Sequence, residues 1–144
     1  MTSMFVIRAC NAIATCALAA VSATAAAEVW LETSQHDDYV AYGDPSSIQR
    51  QGDIVKMSSM FDYKNPRRDI PGKTYLSTKR RFEYDCKNRR ARAIAGSAYA
   101  KHKAEGEILA SDSSKYNWTA VVADSADDYL LKFACKKFDG SQNK

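Results

Sequence analysis

The chain predicts an α+β fold: a single antiparallel β-sheet of about six strands with a C-terminal α-helix held to one face by a disulfide. Three observations predict it. Short β-prone runs bounded by turn residues fill most of the chain. From Ala126 to Phe138 the apolar positions change to the three-and-four spacing of a helix. Only two cysteines, Cys86 and Cys135, remain once residues 1–27 are set aside as an export signal, and a lone pair in an exported domain is expected to be oxidised.

The signal rests on Arg8 as the one charge of the first ten residues, the apolar run Ala12 to Val21, and the small-residue stretch Ser22 to Ala27 before Glu28. Cleavage after Ala27 leaves one domain, residues 28–144. The apolar run is too short to span a bilayer and has no stop-transfer flank, so no transmembrane segment is expected. Ile13-Ala14-Thr15-Cys16 faintly resembles a lipidation box, but Thr15 fits poorly and the apolar run continues past Cys16. No lipid anchor is expected, and the chain reads as exported to a compartment where disulfides persist.

Strands are expected at Val29–Leu31 and Tyr39–Tyr42, the second ended by Gly43-Asp44-Pro45-Ser46-Ser47, where proline and turn-forming side chains interrupt a ladder. Gln51-Gly52-Asp53 reverses the chain into a strand from Ile54 to Tyr63, and Lys64 to Thr74 is the longest loop. Tyr75 to Cys86 and Arg90 to Ala100 form a hairpin about Lys87-Asn88-Arg89. Shorter strands follow at Glu107–Ser111 and Trp118–Ala123. Ala91, Ala93 and Ala95 are expected to share one face and let the helix approach closely.

In the helix, Ala126, Leu130, Leu131, Ala134, Cys135 and Phe138 line one side. Asp124 or Ser125 caps it, Ser125 with Asp128 approximates a capping box, and Asp127, Asp128, Lys136 and Lys137 suit the helix dipole. Cys135 falls on the buried stripe, and Cys86 shares the apolar parity of Phe82 and Tyr84. A bond between them pins the helix to the sheet and is worth about 4 kcal/mol in the chain-entropy model.

These residues carry a resemblance. Trp30, Asp44-Pro45-Ser46-Ser47-Ile48, Phe82-Glu83-Tyr84-Asp85-Cys86-Lys87-Asn88-Arg89-Arg90 with Arg92, Trp118, and Phe133-Ala134-Cys135 stand in the order and spacing of the surface-adhesin protein E family of Gram-negative bacteria. Gly43 departs from the pattern, standing where a bulkier residue is more usual, and Ala123-Asp124-Ser125 replaces a Pro-Gly-Ser type of turn. The resemblance implies an antiparallel sheet with a disulfide-tethered C-terminal helix, homodimer formation, and binding of host matrix and plasma proteins at the cell surface.

Charge points to a binding surface. The full chain carries +4, yet between Lys64 and Lys103 thirteen Lys and Arg face three acids, Asp69, Glu83 and Asp85. Lys79 and Arg81 share the outward parity of their strand, and Arg90 and Arg92 share a face across the turn, with Arg89 between. Guanidinium groups hold carboxylate, sulfate or phosphate in a bidentate way, so Lys79, Arg81, Arg89, Arg90 and Arg92 form the candidate ligand-binding set for an acidic polysaccharide or protein segment. The competing role for these charges is to keep sheet edges soluble and to pair with Glu83, Asp85 or the acidic ends of the chain. Arg80 has inward parity with Phe82, which implies either a position near the sheet edge or a bulge.

Enzymatic chemistry finds little support. Among residues 28–144 there are two histidines, His36 and His102, no spare thiol and no Gly-rich phosphate loop. His36-Asp37-Asp38 reads as a solvated loop rather than a cation site, Asp124, Asp127 and Asp128 read as helix-start charges, and Asn117-Trp118-Thr119 has no force as a glycosylation acceptor in a bacterial chain. No cofactor and no metal is expected, and export argues against nucleic acid. The expected function is an exported, non-enzymatic, adhesin-like binding protein of the bacterial envelope. The alternative is a periplasmic module that binds another envelope protein or an acidic ligand without a role in host adhesion.

Overall fold

The computed structural model describes residues 27–136. Residues 1–26 of the signal segment, with Cys16, and Lys137 and Phe138 therefore lie outside the described residues. Seven strands precede one helix: β1 Leu31–Gln35, β2 Tyr39–Gln51, β3 Ile54–Arg67, β4 Tyr75–Asp85, β5 Arg90–Tyr99, β6 Ile108–Asp112, β7 Thr119–Ala120 and α1 Ala126–Lys136. The sheet is an antiparallel meander in the order β1-β2-β3-β4-β5-β6, with β7 pairing the first residues of β5.

Partners directly across an antiparallel ladder share a face, so the register sorts the side chains. One face carries Ala41, Val55, Met57, Phe61, Phe82, Tyr84 and Ala91, and these form the core with Leu130, Leu131 and Ala134 of α1. The helix lies across β1 to β4. Ser125 caps it, its hydroxyl accepting from the Asp128 amide at 3.2 Å, while the Asp128 carboxylate accepts from the Asp124 amide at 3.1 Å. That carboxylate is fully buried and also meets Lys132 at 2.7 Å and the Arg89 guanidinium. The Cys86–Cys135 disulfide fastens the other end of the helix, with a Cα separation of 5.9 Å. Both expectations for this element, the cap and the covalent tether, are met.

The opposite face is partly covered by a 3₁₀ turn, His102–Ala104. Ser77 donates to the Lys101 carbonyl at 2.5 Å and accepts from the Ala104 amide at 2.9 Å, and the Lys103 ammonium lies 3.6 Å from the centre of the Tyr42 ring.

Three local expectations are corrected. The Gly43 to Ser47 segment does not end its strand: β2 runs through it, with a register shift between Asp44 and Gln49. Asp44 accepts from the Ser46 amide at 2.9 Å, and Ser47 Oγ accepts from the Ser58 amide at 2.8 Å, so side-chain oxygens stand in for the missing ladder bonds. In β5 the alternation breaks at Ile94. Ala93 pairs with Phe82 but Ala95 pairs with Arg81, so Ala95 leaves the face held by Ala91 and Ala93. Arg80 lies on a middle strand, and the bulge beside it belongs to β5. Its guanidinium rests 5.6 Å from the centre of the Phe61 ring.

Gly43 has a packing reason. A Cβ built there meets two ring atoms of Phe133 at 3.0 Å and Met57 Cε at 3.2 Å, so the glycine lets the helix ring lie against the strand. Gly43→Ala should therefore destabilise the fold by roughly 1 to 3 kcal/mol, the usual cost of overpacking, read as a lower urea midpoint. A stabilised variant would show that Phe133 moves aside freely.

Candidate functional site

On the face away from the helix, the β3–β4–β5 register sets charges opposite one another. Lys56 is paired with Glu83, Glu83 with Arg92, and Asp85 with Arg90. Glu83 is only 5% exposed and receives three cations: Arg92 at 2.5 Å, Lys115 at 3.5 Å and Lys56 at 3.7 Å. Burial opposes its ionisation, but the Arg92 hydrogen bond and the charges of Arg92, Lys115 and Lys56 outweigh it and hold the carboxyl below its ordinary range. Asp85 accepts from Arg90 at 2.6 Å and from the amide and side chain of Asn88 at 3.0 and 2.9 Å. Those bonds, Arg90 foremost, hold its pKa at about 2.

Arg90 and Arg92 both stack on Trp118, with guanidinium carbons 5.3 and 4.2 Å from the ring centre. Trp118 is brought there by β7, which pairs with the start of β5, and by the Tyr116 amide, which donates to the Ala93 carbonyl at 3.0 Å. Farther along β4, Arg81 donates to Gln49 at 3.0 Å and to Ser58 at 3.3 Å, and no carboxylate lies within ion-pair distance of it among the described residues. Lys79 meets Glu28 at 2.6 Å. A concavity of about 540 Å³ lies between Gln49, Gln51, Lys56, Glu83 and Arg92.

Of the five residues singled out from the sequence, the structure thus brings four onto one face: Lys79, Arg81, Arg90 and Arg92. Arg89 is apart, in the hairpin turn at φ 50°, where it meets Asp128 of the helix. Lys79, Arg89, Arg90 and Arg92 each have a carboxylate partner, and Arg81 does not. Sequence reasoning missed Lys56, Lys115 and Trp118. Hairpin register would have placed Arg90 and Arg92 opposite Asp85 and Glu83, since both pairs are symmetric about the Cys86–Arg89 turn. Nothing in the sequence brings Lys115 to Glu83 from a loop. His36 is held by Ser34 at 3.0 Å and stacks on Tyr39, and among the described residues no group of three His, Cys, Asp or Glu side chains is placed to hold a metal.

The architecture is an antiparallel meander with a disulfide-tethered helix on one face and a polar, cation-rich face on the other. The chain belongs to the surface-adhesin protein E family, whose pattern it matches over residues 30–136. Solved structures of Haemophilus influenzae protein E share the fold. Crystal form II superposes with a TM-score of 0.57 at 15% identity, covering 78% of this chain and 98% of that one. A second structure of the same protein gives 0.55 at 14% identity, covering 77% and 93%. No curated protein matches the chain in sequence. The family supports an adhesin-like surface or exported protein, and among the described residues no helix is long and apolar enough to cross a membrane.

Proposed function

We propose that the protein is an exported, non-enzymatic binding protein that engages an acidic partner through the face formed by β3, β4 and β5, with sulfated polysaccharide and acidic segments of host matrix or plasma proteins as its ligand class. The observation that supports this reading is the charge surplus of one face. Lys56, Lys79, Arg81, Arg90, Arg92 and Lys115 stand there against Glu28, Glu83 and Asp85. Buried carboxylates and the Trp118 ring hold Arg90 and Arg92 in place, Arg81 has no carboxylate partner among the described residues, and Lys115 stays largely exposed beside Glu83. A guanidinium fixed by packing loses less freedom when a ligand arrives.

The test is retention on heparin. Lys79→Gln, Arg81→Gln and Lys115→Gln together should release the protein at markedly lower salt, because these three remove charge without stripping the buried carboxylates of Arg90 and Arg92. Screening limits exposed charges to about 8 Å near physiological ionic strength, so a clustered patch outlasts dispersed charge as salt rises. Lys64→Gln, Lys87→Gln and Lys136→Gln make the same change in net charge elsewhere. Equal losses from both sets would reduce the effect to net charge and remove the site. Protease access on intact cells separates the two settings: digestion there favours an adhesin, and digestion only after the outer membrane is opened favours a periplasmic module.

A further inference from the structure

The helix covers β1 to β4 and leaves a groove over β5 and β6, on the face opposite the cationic patch. Its volume is about 600 Å³, within the range of small-molecule sites. Ala91, Ala93, Ala98 and Ala110 contribute small side chains to it, and Phe82 stands at the helix side. The alanines that the sequence suggested would admit the helix instead form an open apolar floor.

Two opposite charges face into this groove without meeting. Arg80 and Asp127 both line it, and among the described residues neither side chain makes a hydrogen bond or an ion pair, Arg80 resting only on the Phe61 ring. Every other arginine of β4, β5 and the turn between them has a hydrogen-bond acceptor. The remaining acids of the groove are engaged: Asp69 accepts from the Tyr75 hydroxyl at 2.6 Å, and Asp112 accepts from the Tyr116 hydroxyl at 2.5 Å and the Ser114 amide at 2.8 Å. Burial raises the Asp127 carboxyl above its ordinary range, and Arg80 offsets this only in part, which is the state of a carboxylate short of a cationic partner.

We propose that this groove is a binding site for an apolar amino acid in its zwitterionic form, with the carboxylate on Arg80, the ammonium on Asp127 and the apolar side chain on the alanine floor beside Phe82. The charges are complementary in sign, and neither is taken up by an ion pair among the described residues. An acidic lipid or simple anion would satisfy Arg80 and set like charge against Asp127, while an amine would do the reverse.

The test reads amide shifts in the groove and does not depend on heparin binding. The exported protein is titrated with L-phenylalanine and L-leucine while the backbone amides of Ala93, Ala98 and Asp127 are followed by NMR. A ligand this small should bind with a Kd of about 1 mM or tighter. N-acetyl-L-phenylalanine, which lacks the ammonium, and L-phenylalaninamide, which lacks the carboxylate, should each bind about tenfold more weakly, as should L-phenylalanine to Arg80→Gln and to Asp127→Asn. The analogues need no variant, so the proposal stays testable even where a substitution perturbs folding. Equal affinity for the acetylated or amidated ligand would overturn the zwitterion. Absence of any shift with both amino acids at about ten times that Kd would overturn the site.

Discussion

Replacing Cys135 by Ser should cost roughly 2 to 5 kcal/mol of stability, the usual loss for a small exported domain deprived of its disulfide. The bond joins residues 49 apart, closing β4 to the end of α1, and the helix it fastens supplies Leu130, Leu131 and Ala134 to the core. At the other end the helix is held by Asp128, whose carboxylate joins Arg89, Lys132 and the Asp124 amide. With one fastening removed, the helix should open before the sheet. The measurement is a urea titration joined to amide exchange. The midpoint should fall by about 1 M or more, and amides of Leu130 to Ala134 should lose protection ahead of those of β3. The protein with its disulfide reduced should match the variant, which separates the lost bond from the effect of a serine. A loss below about 1 kcal/mol would mean that packing and the Asp128 contacts alone hold the helix.

Much of this architecture was legible because the signals are local. Turn residues bounded most of the strands, period marked the helix, and Ser125 with Asp128 marked its start. What failed to be legible was the use made of irregular backbone. Asp44 to Ser47 carries turn chemistry, but Asp44 accepts from the Ser46 amide and Ser47 Oγ accepts from the Ser58 amide of β3, and β2 continues past the irregularity. At Ile94 one extra residue shifts the register, and no composition signal marks it, because its neighbours are alanines that fit either face. Parity carried along β5 therefore fails beyond that point.

The candidate face was legible only in part, for a different reason. Strand parity placed Lys79, Arg81, Arg90 and Arg92 together, but what each charge touches depends on the neighbouring strand and on a loop. Lys56 arrives from β3 and Lys115 from the segment after β6, and both meet Glu83. The two roles weighed for these charges divide among the residues. Arg90 and Arg92 neutralise buried acids at close range, Lys115 meets Glu83 at 3.5 Å from an exposed side chain, and Arg81 has no carboxylate partner among the described residues. Substituting all four basic residues of the strands would strip Asp85 and Glu83 of their partners and confuse binding with unfolding.

That division is tested by Arg92→Gln, which should cost about 2 to 3 kcal/mol near neutral pH. Breaking a buried pair by removing one partner typically costs about 3 to 5 kcal/mol, and Glu83 keeps Lys56 and Lys115 at longer range, which brings the effect to or below the bottom of that range. The pH dependence gives the sign. The Glu83 carboxyl is held below its ordinary range in the folded protein, so its contribution is present above the unfolded pKa and is lost as pH falls through the folded one. The difference between wild type and Arg92→Gln should therefore be largest near neutral pH and shrink in acid, as Glu83 becomes protonated in both. Glu83→Gln made together with Arg92→Gln should recover part of the loss, because no buried charge then lacks its partner. Urea titrations of the three proteins at pH 7 and in acid supply both comparisons. A cost below about 0.5 kcal/mol at pH 7 would class Arg92 with exposed surface charges. It would also return Arg92 to the residues free to meet a ligand.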